Sequence, residues 1–401
     1  MQQVGIGMIG CGGMGRHVAR LLLQQDARLA VRALCDPDPR SISKTQAEVS
    51  PGARVYADYN DLVQADNVDW VMVASWNCYH REQVIAAFAA GKDVFCQKPL
   101  ATTLADCLAM RDAHQSSGKL FNLGFSLRYS AHYRKIKELL DGGAVGQIIS
   151  MEFNETLGFN HGGYIMGDWR RLQCYAGTHL LEKCCHDIDL ANWMVQSLAV
   201  RVASFGGLSF FLPENEHHIA RLGQSEKGVD AYRTWGGLVD LNPFTSDKDI
   251  VDNQVAIVEY ANGVRATFHT NCNAGIPERR MYILGSEGAL RADLYASTIQ
   301  LRRIGFDAAI EDVPIRAMDG HGGGDAVLAR ELAASMLERV PPAVGMWDAL
   351  TSAITCFAID EAMHTGRVVD VRPYWEKAEE SQGAGAPSCL LTMPVAALRR
   401  N

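Results

Sequence analysis

Gly10-Cys11-Gly12-Gly13-Met14-Gly15 follows directly on the apolar stretch Val4-Gly5-Ile6-Gly7-Met8-Ile9, and its reading decides the fold of what surrounds it. The apolar stretch has the length and composition of a buried strand, and the glycines that end it form a Gly-x-Gly-x-x-Gly turn. His17-Val18-Ala19-Arg20-Leu21-Leu22-Leu23 comes next with apolar residues at helical spacing, so the first amides of a helix point at whatever lies over the glycines. That geometry suits a pyrophosphate. A second apolar stretch, Leu29 to Leu34, ends in Cys35-Asp36 and sets a carboxylate 21 residues past Gly15, where the adenosine ribose of a dinucleotide belongs. The glycine run alone is a weak signal, but strand, turn, helix, strand and acid in this order make a strong one. Gly10, Gly12, Gly13, Met14, Gly15 and Asp36 are therefore expected to bind the cofactor.

Outward from that stretch, residues 1 to 123 alternate short apolar strands with amphipathic helices: Val68 to Ala74, Glu82 to Ala90, Asp93 to Cys96, Leu104 to Ser116, Leu120 to Leu123. This is the pattern of a doubly wound parallel sheet, an α/β Rossmann domain. Beyond Gly124 the texture changes. A helix over about Ala131 to Leu140 leads into Gln147 to Glu155, which alternates like a strand with one wet face. Gln254 to Tyr260 and Val264 to Thr270 flank Asn262-Gly263, and Met281 to Leu284 and Ala289 to Asp293 flank Ser286-Glu287-Gly288. These are hairpin signals, so the second domain is expected to be α+β with a large, mainly antiparallel sheet. Helices over Asp325 to Glu338, with Asp325 as N-cap, and Met346 to Thr365 are expected to close it. The expected division is 1–123, 124–375 and a tail, 376–401, whose one apolar patch is Leu390-Leu391. Gly206 to Asp252 reads as a long loop or lid.

A chain of 401 residues, 48% hydrophobic and 21% charged, is long enough for two cores. Its net charge of -8, with basic residues scattered, offers no footprint for nucleic acid. Without an 18-residue apolar run or a basic leader before the first strand, no membrane partner is expected and the cytoplasm is the expected location. Eleven cysteines is an odd number in no regular framework, which favours reduced thiols. Cys174, His179, Cys184, Cys185 and His186 crowd together, yet adjacent cysteines diverge on a helix and no Cys-x-x-Cys pair exists. Small buried thiols are the better reading, and no metal is expected.

Two stretches could carry chemistry. Val94-Phe95-Cys96-Gln97-Lys98-Pro99 ends a strand of the parallel sheet, and ligands of such sheets lie outside the carboxyl ends of strands. Lys98 is thereby delivered to the cofactor crevice, where a cationic nicotinamide and desolvation would lower its proton affinity; a plain surface lysine is the alternative. In Glu182-Lys183-Cys184-Cys185-His186-Asp187-Ile188-Asp189, a helix would put Glu182, His186 and Asp189 on one face, so that a carboxylate orients an imidazole able to take a hydroxyl proton. Taken alone, a core helix with a satisfied histidine accounts for the stretch as well. Arg128, Tyr129, Asn160, His161, Tyr164, Trp169 and Arg170 offer the donors and aromatic faces that bind hydroxyl-rich rings, and His321, in a glycine-rich loop before a helix, could close over them. His217 and His218 read as solvated loop residues.

The glycine fingerprint, Asp36, Ala74-Ser75-Trp76-Asn77-Cys78-Tyr79-His80, Gln97-Lys98-Pro99, Gly124-Phe125-Ser126-Leu127-Arg128-Tyr129, Gly146 and His186-Asp187-Ile188-Asp189 together resemble the glucose-fructose oxidoreductase, inositol dehydrogenase and rhizopine-catabolism (Gfo/Idh/MocA) family, over about residues 4 to 370. The resemblance implies a Rossmann domain, a second domain whose open sheet often forms the subunit interface, a nicotinamide cofactor, sugar or cyclitol substrates, and a homodimer or homotetramer. It implies a catalytic set of Lys98, His186 and Glu182, with Ser75, Trp76, Asn77, His80 and Gln97 beside the cofactor and Asp189 near the substrate. Gln97 stands where the family usually has glutamate, Trp76 where it commonly has proline, and Glu182 where it usually has the shorter aspartate. Asp36 favours NAD over NADP, since a carboxylate accepts from a ribose 2′-hydroxyl and repels a 2′-phosphate. The expected function is NAD-dependent hydride transfer from a sugar or cyclitol carbinol. A redox-neutral glycosidase that keeps NAD bound, with Tyr164, His161 or His179 as a further base, is the first alternative, and a nucleotide-sensing regulator without chemistry the second.

Overall fold

The computed structural model describes residues 3–235, 237, 239–315 and 321–380. The chain divides into two units, residues 1–130 with 318–353, and 131–317 with 354–401.

In the first unit six parallel strands stand in the order β3-β2-β1-β4-β5-β6: β1 Val4–Ile9, β2 Leu29–Cys35, β3 Arg54–Val55, β4 Trp70–Val73, β5 Asp93–Cys96 and β6 Phe121–Leu123. Strands covered by helices on both faces need apolar side chains on both, which is why β1, β4 and β5 read as continuous apolar runs and are buried along almost their whole length. The helix after β1 spans Gly13–Leu23 and buries Val18, Ala19 and Leu22. The segment 321–353, expected in the second domain, packs with this unit instead. Its helix Gly324–Glu338 begins so close to Ser126 that a Cβ on Gly324 would lie 2.1 Å from the Ser126 carbonyl oxygen, and Leu123 N donates to Val344 O at 3.3 Å. Asp325 is not that helix's N-cap: Gly323 occupies the cap, and the Asp325 carboxylate lies 3.0 Å from His321 Nδ1 and 3.3 Å from His17 Nε2.

The second unit is built on a nine-stranded sheet, β14-β13-β12-β11-β7-β10-β9-β8-β15, comprising β7 Ile148–Gly158, β8 Ala199–Gly207, β9 Asn253–Tyr260, β10 Arg265–Ala274, β11 Arg280–Gly285, β12 Gly288–Asp293, β13 Thr298–Arg303, β14 Glu311–Asp312 and β15 Val369–Asp370. All neighbours are antiparallel except β7 and β10, which run parallel from Ser150 opposite Arg265. The Asn262-Gly263 turn joins β9 to β10, with Gly263 at φ +84°. One sheet face is buried and the other carries exposed Phe205, Val255 and Ile257.

Two expectations change here. Gly206 to Asp252, expected as a long loop or lid, contributes to a packed core among its described residues: Phe211, Tyr232, Phe244 and Ile250 pack with Leu157, Ile165, Met166 and Cys272. Alternation could not show this, because the residues that build the cluster come from separated turns. Residues 376–380 are not tail but the end of a helix, Arg372–Glu380, anchored where the buried Trp375 Nε1 donates to Ala199 O at 2.7 Å. The tail patch Leu390-Leu391 lies outside the described residues. Among the described residues no helix is long and apolar enough to cross a membrane.

Candidate functional site

In the first unit the candidate residues gather on turns at the carboxyl edge of the parallel sheet. After β1, the backbone folds tightly enough that a Cβ on Gly10, at φ +91°, would lie 2.4 Å from the Ala74 carbonyl carbon, and one on Gly15 would lie 2.7 Å from Gly10 O. Gly12 and Gly13 are the reverse: nothing stands within 4 Å of where their Cβ would be. Gly12 caps the Gly13–Leu23 helix without any side-chain hydrogen bond to the first-turn amides. An open cradle floored by helix amides is what a dinucleotide pyrophosphate requires. At the end of β2 the half-buried Asp36 accepts from Cys11 N at 2.6 Å and Asp38 N at 2.8 Å, which fixes both carboxylate oxygens beside the glycine turn. The residues present thus fit the dinucleotide they were expected to hold.

After β4, Ser75 Oγ donates to Gln83 Oε1 at 2.6 Å, Trp76 is half-buried, and Asn77 is buried at the start of a short 3-10 turn. After β5 comes Gln97-Lys98-Pro99, whose Lys98–Pro99 peptide is cis. His80, expected at the cofactor, is wholly enclosed. Its Nδ1 lies 2.9 Å from Pro99 O and its Nε2 3.3 Å from Ser75 O, so the ring ties the two turns together. Burial, aided by the Lys98 charge, pushes this imidazole below its ordinary range. Lys98 itself is half-buried, and Gln97 packs so near the next turn that a Cβ on Gly124 would lie 2.9 Å from its Oε1.

Arg128 and Tyr129, expected on the substrate side, are buried. Arg128 Nη1 donates to Asp348 Oδ1 at 2.8 Å, and Asp348 Oδ2 accepts from Gly345 N at 3.1 Å, so this arginine fastens the 321–353 segment to the unit. A buried guanidinium demands such a partner. His321 faces Asp325, within the same segment.

In the second unit His186 sits in the first turn of a helix, Cys185–Val195, and is buried with its neighbours Asp187 and Asp189. Glu182 precedes that helix in a π-helical turn, Leu180–Cys184, so the single helical face expected for Glu182, His186 and Asp189 is broken by the wider turn. Glu182 Oε1 accepts from Arg170 Nε at 3.0 Å. Arg170 Nη1 also donates to Tyr164 Oη at 2.6 Å and Asp168 Oδ1 at 2.8 Å, and its guanidinium lies over the rings of Tyr164 and Trp169. Trp169 is buried, expected at a ligand but acting as packing for this arginine.

Behind the His186 helix lies a buried ion network that sequence reasoning missed. Arg279 Nε and Nη2 donate to Asp187 Oδ1 at 2.8 Å and Oδ2 at 2.7 Å, Nη2 also reaches Glu155 Oε2 at 3.1 Å, and Lys183 Nζ lies 3.0 Å from Glu155 Oε1. Burial raises the Asp187 carboxyl above its ordinary range; for Glu155, Arg279 and Lys183 outweigh burial and hold it well below. Asp187 stood in the quoted motif, but its partners lie 92 residues away at Arg279 and, through Arg279, on β7. Nearby His179 Nε2 is 3.5 Å from Cys272 Sγ and 3.4 Å from Thr270 Oγ1, and burial pushes its pKa down to about 4. Cys184 and Cys185 are buried as expected, whereas Cys174 is exposed. Glu155, Cys184 and Asp187 have ligand atoms within 4.8 Å of one another, but Arg279 and Lys183 already supply positive charge to these carboxylates.

Residues 4–125 match the family described as "Oxidoreductase family, NAD-binding Rossmann fold", and residues 133–291 match "GFO/IDH/MocA C-terminal domain". The chain belongs to the Gfo/Idh/MocA family of NAD-binding oxidoreductases. Inositol 2-dehydrogenase 3 of Saccharopolyspora erythraea is 27% identical over 374 residues, 92% of this chain and 95% of that protein. Inositol 2-dehydrogenase of Ralstonia nicotianae is 35% identical over 190 residues, 47% of this chain and 53% of that one, so here the match spans about half the relative. A levoglucosan dehydrogenase solved with NADH and levoglucosan superposes with a TM-score of 0.74 at 20% identity, covering 92% of this chain and 100% of that one. The myo-inositol 2-dehydrogenase of Lactobacillus plantarum does so at 0.71 and 20%, covering 92% and 99%.

Proposed function

We propose that the protein oxidises a secondary alcohol on a polyhydroxylated ring, a sugar or cyclitol, with Lys98 and His186 handling the hydroxyl proton. The supporting observation is that the glycine turn after β1, the Ser75–His80 turn after β4 and the Lys98 turn after β5 all leave the same carboxyl edge of one parallel sheet. NAD, when bound, supplies the hydride acceptor. Gly12 and Gly13 hold the pyrophosphate with backbone amides, Asp36 accepts from the adenosine ribose, and Ser75, Trp76, Asn77 and Gln97 border the nicotinamide end. Asp36 also sets the preference for NAD over NADP, because a 2′-phosphate would meet its carboxylate.

Removing hydride from a carbinol carbon leaves a carbonyl only if the hydroxyl proton also departs. Lys98 accepts it, and His186 relays or shares it. Glu182, held by Arg170, or Asp189 orients His186. The relatives named inositol dehydrogenases and the hydroxyl-binding character of the Tyr164 phenol beside the charge-matched Arg170 support a cyclitol or sugar as substrate. The exposed Phe205, Val255 and Ile257 on the outer face of the second unit's sheet support the homo-oligomer. The test is a panel of cyclitols, sugars and glycosides with NAD, read as NADH absorbance. Lys98→Ala and His186→Ala should each lower turnover about a hundredfold or more while NAD binding, measured by titration, stays nearly intact. Normal turnover of Lys98→Ala would end the assignment, and glycoside cleavage without net NADH would replace it with the redox-neutral glycosidase.

A further inference from the structure

The packed insert between β8 and β9 displays an indole. Trp235 is 57% exposed, yet one face is covered: His161 stacks on it with ring centroids 4.1 Å apart and planes 26° from parallel, and Tyr164 lies 5.9 Å away. Two described residues near it in sequence, Tyr232 and Gly237, sit in close packing. Upstream, Tyr232 adopts φ +68°, a left-handed conformation that bulky residues avoid, and is held there by packing among Phe210, Phe211 and Phe244 and by N–H donation to Asn160 Oδ1 at 2.8 Å. Downstream, a Cβ on Gly237 would lie 2.3 Å from Asp168 Oδ2 and 3.4 Å from Tyr164 Cε2, so a larger residue there would push against the Asp168 carboxylate. Leu241 N then donates to Gly167 O at 3.0 Å. An indole backed on one side by His161 and exposed over more than half its surface is suited to stacking a ligand on its other face.

The ring is also connected to the polar side chains described above. From Trp235 the path runs by ring contact to Tyr164, by hydrogen bond from Arg170 Nη1 to Tyr164 Oη at 2.6 Å, and from Arg170 Nε to Glu182 Oε1 at 3.0 Å. We propose that the open face of Trp235 is a stacking platform for a second pyranose ring, so that the preferred substrate is a disaccharide or other glycoside and not a free monosaccharide or cyclitol. This rests on the dehydrogenase reading above. A pyranose presents a face of C–H groups suited to an indole, with hydroxyls at its rim for the Tyr164 phenol. The surroundings favour an uncharged ligand over a sugar phosphate. Arg170 is already matched by Asp168 and Glu182, Arg233 by Asp240, and burial together with the Lys183 charge holds His161 far below its ordinary pKa, so none of these three groups offers an unmatched positive charge to the ring.

The experiment compares kcat/KM with NAD for glucose and myo-inositol against cellobiose, maltose and methyl glucoside, in wild type, Trp235→Ala and Trp235→Phe. Calorimetric titration of cellobiose and maltose into the NAD-loaded proteins runs beside it. Wild type should prefer a disaccharide. Trp235→Ala should lower the disaccharide-to-monosaccharide ratio about tenfold, chiefly through KM, with an unshifted melting curve, and Trp235→Phe should restore most of it. Disaccharide binding that survives Trp235→Ala unchanged, or a wild type that takes free sugars as well as disaccharides, overturns the proposal. Disaccharide binding that Trp235→Ala abolishes, in a protein that makes NADH from nothing in the panel, supports the platform and removes the dehydrogenase reading instead.

Discussion

Gly12 and Gly13 in the first unit have nothing within 4 Å of where a side chain would start, whereas in the second unit the residue after His186 is gripped by two guanidinium hydrogen bonds of 2.8 and 2.7 Å. One unit prepares its chemistry by leaving backbone bare. The other does so by filling the space around a histidine helix with matched buried charges. The contrast teaches which damage each tolerates: the glycine cradle can be blocked without disturbing the fold, while the charge network cannot lose a member without endangering it.

The strongest way to break the comparison is Arg279→Ala. It leaves Glu155 and Asp187 buried with only Lys183 between them, and should cost about 3–5 kcal/mol in denaturant unfolding. A loss under about 1 kcal/mol would show that the network is not what secures the helix. In the first unit, Gly13→Val is the counterpart. It should leave the unfolding midpoint nearly unchanged, because the site is open, while weakening NAD binding about tenfold or more by occupying the space over the amides. Equal damage to stability would erase the distinction. Asp36→Ser should shift the ratio of NAD to NADP affinity severalfold, up to about tenfold, toward NADP, as read by titration with each cofactor.

A pH series sharpens the contrast least but tests burial directly. Burial pushes His132, whose two ring nitrogens have no hydrogen-bond partner among the described residues, down to about 4. Between about 6.5 and about 4 the unfolded chain binds a proton there that the native protein refuses. Stability is therefore complete above that window and is lost as pH falls through it, by at most about 1.4 kcal/mol per pH unit from this group. His132→Phe should flatten this limb of the pH profile; an unaltered slope would mean that water reaches the ring.

What could be read in advance follows the same division. The glycine turn, Asp36 and Lys98 are legible because local order fixes them: a strand must precede the turn, a helix must follow it, and strand ends face one edge. The hairpin at Asn262-Gly263 was legible for the same reason. The second unit resisted because its side chains answer to distant partners. Glu182 falls in a π turn that spacing cannot announce, Arg170 turns inward to Glu182, and Asp187 meets Arg279 across 92 residues. Burial of Arg128 and Tyr129 was hidden likewise, since Asp348 lies 220 residues from Arg128.

The return of residues 321–353 to the first unit sets an order of events during synthesis. His17, Asp93, Leu123 and Arg128 all wait for partners at Asp325, Arg339, Val344 and Asp348, so the nucleotide-binding half is still unfinished when residues 131–317 of the other unit have left the ribosome. A nascent chain halted anywhere between them would hold its opening strands without the helix that completes them.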